Sequence, residues 1–197
     1  MPEKHALLSA SSSQKWLHCP PSARLEASLP DNASEAAAAG TLAHAIGELK
    51  LRKLFVEKGM SSRTYNSRMK KLTKDPLYDP GMERSTDAYV DYIKEIAYSF
   101  PAEPMIALEQ QVDYSAWAPE GFGTSDCILI QGTDLHIADY KNGKGVPVSA
   151  YDNPQMKLYA LGALAAYGLL YPVTDVTLHI LQPNLNNFSS WSLTTAE

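Results

Sequence analysis

The sequence predicts an α/β or α+β domain in which helices cover a mixed sheet. Three observations support this. Two long stretches before Pro101 carry apolar residues at helical spacing. After Pro104 the apolar period changes to two, and one further helical stretch interrupts the strand-like runs before the last of them.

Residues 1–34 read as an irregular N-terminal segment. Ser9–Ser13 is a serine run, and Cys19-Pro20-Pro21 and Pro30-Asp31-Asn32 break any regular element. Trp16, Leu17 and Leu25 are the residues expected to hold it to the body. Ser34 is a candidate N-cap for a helix reaching about Lys58, where Gly59 ends it. Residues 59–82 are polar, basic and turn-rich, and read as an insertion or mobile connection. A second helix is expected over Glu83–Ser99, with Tyr89, Tyr92, Ile93 and Ile96 as its apolar stripe. Met105–Tyr114, Thr124–Gln131, Asp134–Tyr140 and Val173–Leu181 read as strands, with a helix from about Asn153 to Tyr167 before the last. There is no internal repeat, so one domain over 1–197 is expected, with its core sheet and helix over 105–183.

A chain of 197 residues with 45% hydrophobic and 20% charged residues can bury a core without disulfides or a structural metal. The longest apolar run, around Ala160–Tyr171, is too short to span a bilayer, and residues 1–6 show no secretory signal. Cys19 and Cys127 form no disulfide framework or CxxC pair, so a reduced, cytoplasmic setting is expected. The net charge of −5 argues mildly against a nucleic-acid partner. Residues 63–74 qualify this, since they contain Arg63, Arg68, Lys70, Lys71 and Lys74 and no acid. Such a run is either a solvated face or a set of phosphate contacts.

Chemistry concentrates in one hairpin. Gly132-Thr133 fits a two-residue turn, which pairs Gln131 with Asp134. Carried outward, that register sets Asp126 opposite Asp139, with Cβ atoms about 5 Å apart. Lys141 lies two residues beyond Asp139 and shares its face, whose other members are Ile128, Ile130, Leu135 and Ile137. Two carboxylates that close repel by about 3 kcal/mol at an effective dielectric of about 20. A divalent cation relieves the repulsion, and hard oxygen ligands favour Mg²⁺ or Mn²⁺. Lys141 is placed to stabilise charge on a phosphoryl oxygen or to orient water. A charged strand end whose acids and lysine pair in solvent is the alternative.

The residues around the hairpin carry a resemblance. Glu109, Gly123-Thr124-Ser125-Asp126 and Ile137-Ala138-Asp139-Tyr140-Lys141-Asn142-Gly143-Lys144 resemble the nuclease motif of the RecB-like branch of the PD-(D/E)XK superfamily. Gly40-Thr41-Leu42-Ala43-His44 is similar to the upstream helix that supplies a metal-binding histidine. Gln155-Met156-Lys157-Leu158-Tyr159 is similar to the Gln-x-x-x-Tyr motif after the hairpin. The four elements keep the family order over about residues 10–183.

That resemblance implies a restriction-endonuclease-like core and metal-dependent hydrolysis of DNA. It implies Asp126, Asp139 and His44 as metal ligands, with the Tyr140 carbonyl, and Glu109 as an acid near the metal. It gives Lys141 a catalytic role and Gln155 and Tyr159 supporting ones. Lys144 and the cations of 63–74 become phosphate contacts. Alternation alone sets Ala107, Glu109 and Gln111 on one face of their strand, and Leu108, Gln110 and Val112 on the other. Glu48, one turn beyond His44, either positions the histidine or is an ordinary exposed glutamate. Relatives with an iron–sulfur cluster use one early and three late cysteines; Cys19 alone cannot build one, and a longer parent chain would account for it. No Walker-type motif marks an ATP site. Exonuclease action in phage or bacterial recombination, repair or replication, alongside a protein of such a pathway, is the first expectation. An endonuclease or nickase with the same site, and a non-catalytic nucleic-acid-binding module, are the alternatives.

Overall fold

The computed structural model describes residues 6–29 and 34–197. The breakers Pro30-Asp31-Asn32 and the first five residues lie outside that range. Five strands form one sheet in sequential order: β1 (Met105–Asp113), β2 (Phe122–Gln131), β3 (Asp134–Tyr140), β4 (Asp175–Gln182) and β5 (Asn187–Thr194). The β3–β4 pair is parallel and the other three pairs are antiparallel, so the fold is α+β around a mixed sheet. The hairpin register is the expected one, with Gln131 opposite Asp134 and Gly132 at φ 60 in the turn.

β2 and β3 are apolar on both faces because each face has a core. On one, α3 (Glu35–Leu51) and α5 (Pro80–Ser99) bring Leu42, Ala43, Ile46, Tyr89 and Ile93 against Cys127, Leu129, Ala138 and Tyr140. On the other, α6 (Pro154–Tyr167) brings Met156, Tyr159 and Ala163 against Ile128, Ile130, Leu135 and Ile137. As the crossover between parallel strands, α6 must lie over the sheet. Each long helix starts on a side-chain cap. Ser34 accepts from the Ala37 N–H, Asp79 from Gly81 and Asn153 from Met156, with Pro80 and Pro154 at the first helical position.

Several expectations need correction. The N-terminal segment is not irregular. A 3₁₀ turn at Ala10–Ser12 leads into α1 (Ser13–His18) and α2 (Pro21–Ala27). Ala10 and Trp16 pack on the outer side of the α6 core, and the Trp16 indole donates to the Ser9 carbonyl, whereas Leu17 and Leu25 stay exposed. Residues 59–82 are not an open connection. Ser61 caps α4 (Ser62–Leu72), and the following helix begins at Pro80 rather than Glu83. β5 is an addition to the expected strands. Its Asn187-Phe188-Ser189-Ser190-Trp191 run lacks clean apolar alternation because an edge strand covers the core only in part.

Candidate active site

The site begins where β1 and β2 lose their pleat. Glu109 adopts φ 48 in mid-strand, a left-handed conformation that costs a non-glycine residue about 1–2 kcal/mol. Leu108↔Cys127 and Gln110↔Ser125 are paired on either side, while Glu109 and Asp126 between them are not. Leu108 and Val112 should share a face in an unbroken strand, yet Leu108 enters the α5 core and Val112 the α6 core. The partner strand does the same. Cys127 faces α5, and a Cβ on Gly123 would point at Tyr159 on α6, 2.9 Å from its ring. The alternation expected for Glu109 therefore fails, because the chain changes face at Glu109 itself.

This dislocation lets side chains from both helical layers meet. Asp126 reaches α3, where His44 Nδ1 lies 3.3 Å from its Oδ1; the Glu109 carboxylate lies 3.8 Å from the same nitrogen. Ligand-type atoms of His44, Glu109 and Asp126 all lie within 4.8 Å of one another. The β2–β3 pairing stops at Cys127↔Ala138, one position short of Asp126 and Asp139. There the Tyr140 N–H donates to Asp126 Oδ2 at 2.7 Å, so the carboxylate takes the place of a backbone acceptor.

Asp139 stands outside that mutual cluster and turns toward α6. Gln155 donates to its Oδ1 at 2.8 Å and accepts from Lys141 at 3.2 Å, bridging the acid and the base. Lys141 Nζ is 2.8 Å from Asp139 Oδ2, but off the hydrogen-bonding direction, so this buried oxygen has no hydrogen bond. Tyr159 receives a 3.3 Å bond from Gln155 and packs where Gly123 has no side chain. Tyr140 contributes more than its backbone. Its ring lies edge-on to His44 at 5.2 Å and stacks on Tyr89, and its hydroxyl meets Ser85 and Asn142. Sequence reasoning misses this bracing of His44, although the Tyr stands inside the Asp-Tyr-Lys triplet.

Electrostatics follow from the crowding. Burial would lower the His44 pKa, but the charge and hydrogen bond of Asp126, then those of Glu109, outweigh it and push it up to about 10. Burial raises Asp126 to about 6, with Asp139 and Glu109 adding to the rise and His44 opposing it. The neighbours that hold a proton on His44 are the ones whose charge a divalent cation would compensate in its place. Imidazole with two carboxylates, beside a buried carboxylate oxygen that lacks a hydrogen bond, is a donor set suited to Mn²⁺ or Mg²⁺.

Solvent reaches His44 through an open concavity of about 340 Å³ lined by Ala37, Gly40, Thr41, His44 and Glu109. Further along α3, a second concavity is lined by Glu48, Arg52, Arg68 and Lys71. Glu48 pairs with Arg52 there. Arg63, Arg68, Lys70, Lys71 and Lys74 are exposed on or just after α4, Arg68 paired with Glu57, and Lys144 is exposed on the loop after Lys141. None of these cations belongs to the carboxylate cluster.

A protein-family model described as "Protein of unknown function (DUF2800)" matches residues 5–197. The chain belongs to the DUF2800 family. The match spans α3, the hairpin and α6, so every residue of this site lies in the DUF2800 region. Among the described residues of this DUF2800 chain, no helix is long and apolar enough to cross a membrane.

Proposed function

We propose that the chain is a Mg²⁺- or Mn²⁺-dependent deoxyribonuclease of the PD-(D/E)XK type, acting as an exonuclease in phage or bacterial DNA recombination or repair. One observation carries the reading. Glu109, Asp126 and Asp139 lie on three adjacent strands where the ladder pairing breaks off, with His44 against Asp126 and Glu109 and Lys141 against Asp139. Clustered acids with a neighbouring lysine are a poor stability device and a good phosphoryl-transfer site.

His44, Glu109 and Asp126 would hold the cation, with one oxygen of Asp139 and the Tyr140 carbonyl completing the set. A bound divalent ion supplies charge stabilisation at the phosphate and a more acidic attacking water. Lys141 directs its ammonium at the oxygen that gains charge. Gln155 fixes Lys141 and Asp139 relative to each other, and Tyr159 fixes Gln155. The Tyr140 ring keeps His44 in place. The cations on and after α4, with Lys144, are placed for backbone phosphates, contacts that position DNA without reading sequence. Exonuclease action rests on analogy with the nuclease family.

End-labelled linear DNA and covalently closed circles, incubated with Mg²⁺ or Mn²⁺, test the reading. Wild type is expected to degrade linear DNA from its ends, while Asp139→Ala and Lys141→Ala each lose about 100-fold or more. Cleavage of circles would redirect the reading to an endonuclease or nickase. No metal-dependent cleavage by wild type, or equal cleavage by all three proteins, would leave a binding module at most.

A further inference from the structure

Between Lys141 and Gln155 the chain crosses the sheet end as a strap, and this strap carries an aromatic side chain the site does not use. Its backbone is pinned: Asn184 donates to the Asn142 carbonyl, the Val148 N–H to Gln182 and the Ala150 N–H to Ser189. Ala150 is fully buried. The very next residue, Tyr151, is 71% exposed on this fixed backbone, and Asp152 after it has φ 52. Tyr151 lies 5.3 Å from Trp191 of β5, and Lys157 of α6 sits over the Trp191 ring and pairs with Asp152. Lys144 and Val146 stand exposed on the same strap, where Gln182 donates to the Val146 carbonyl.

A phenol displayed to water on a rigid backbone gives up burial that a small shift could recover. An exposed aromatic ring beside lysines suits one ligand chemistry well, namely unpaired bases on an anionic backbone. Duplex DNA offers a base face only at its terminal pairs, because every internal face is consumed by stacking.

We propose that Tyr151, buttressed by Trp191 and Lys157, forms a stacking platform for a base of a single-stranded DNA end, with Lys144 meeting its phosphates. The platform rests on the nuclease reading for its purpose, since only three residues separate Tyr151 from Gln155 at the site. It makes single-stranded ends the favoured substrate class.

Fluorescence anisotropy of a labelled thymidine oligonucleotide and a blunt duplex tests this, using the whole chain in an Asp139→Ala background with Mn²⁺. The oligonucleotide is expected to bind more tightly than the duplex. Adding Tyr151→Ala should weaken oligonucleotide binding about tenfold, with duplex binding unchanged and Tyr151→Phe restoring affinity. Oligonucleotide binding unaffected by Tyr151→Ala, or absent altogether, overturns the platform. Cleavage by the otherwise wild-type protein is scored separately. Cleavage with no effect of Tyr151 sinks the platform and keeps the nuclease; Tyr151-dependent binding without wild-type cleavage does the reverse.

Discussion

His44 shows how strongly a few neighbours govern one residue. Its ring is wedged between Asp126 and Glu109 and braced by Tyr140, and its pKa rises from 6.5 to about 10. A pKa raised by folding gives stability that is full below the unfolded value and disappears as pH climbs through the folded one. Asp126, raised to about 6, acts in the same sense at lower pH. In EDTA the urea midpoint should therefore fall as pH goes from about 6.5 to about 10, and His44→Ala should flatten that slope. A wild-type midpoint that rises over this range would contradict the wedge. Because a coordinating imidazole must be neutral, Mn²⁺ affinity should strengthen over the same interval. His44, Asp126, Asp139 and Lys141 are all legible as candidates in the sequence. Their division is not: His44 and Glu109 join Asp126, while Lys141 and Gln155 join Asp139.

The strand pair β1–β2 holds the feature least visible in the sequence. Alternation is a rule about unbroken pleats, and it assigns Glu109 and Val112 to fixed faces. A left-handed residue at Glu109 reverses the assignment downstream, and β2 follows so that the register is kept. Such strain persists where function keeps it. Glu109→Gly should remove the conformational penalty, raising stability by about 1 kcal/mol in urea unfolding above pH about 10, where His44 no longer carries the charge that Glu109 supports. The same variant should bind Mn²⁺ more weakly. Reduced stability together with unchanged metal binding would show that Glu109 serves the fold alone. α4 is hidden for a different reason. Its composition is strongly polar, and its apolar stripe is only Tyr65, Met69 and Leu72, none of them fully buried. Ser61 at its start is the available signal, accepting from the Thr64 N–H.

Across the molecule, charge is uneven. A net charge of −5 disfavours DNA overall, yet five cations sit on or just after one helix that packs beside α3. If this face meets phosphates, Lys70→Ala combined with Lys71→Ala should weaken binding to any DNA sequence. Each phosphate that a lysine neutralises adds about 0.9 to the slope of log affinity against log salt, so the double variant should show a slope shallower by between about one and two. An unchanged slope would assign these lysines to solvent. Both lie in the last turn of α4, where cations also favour the helix, so circular dichroism should accompany the titration.

By itself the sequence determined the order of α3, α5, β1 to β3, α6 and β4, the Gly132-Thr133 turn and the identity of the charged residues, because these depend on local periodicity and on neighbours a few positions away. It also placed β3, the Ser34 cap and the start of α6 near Asn153 where they are found. The three-dimensional arrangement alone decided which acids share a cluster. α3 and α6 cover opposite faces of the sheet, and no spacing in the chain says that both reach one edge. They do so because the pleat reverses at Glu109, a backbone choice stabilised by contacts between residues far apart in sequence.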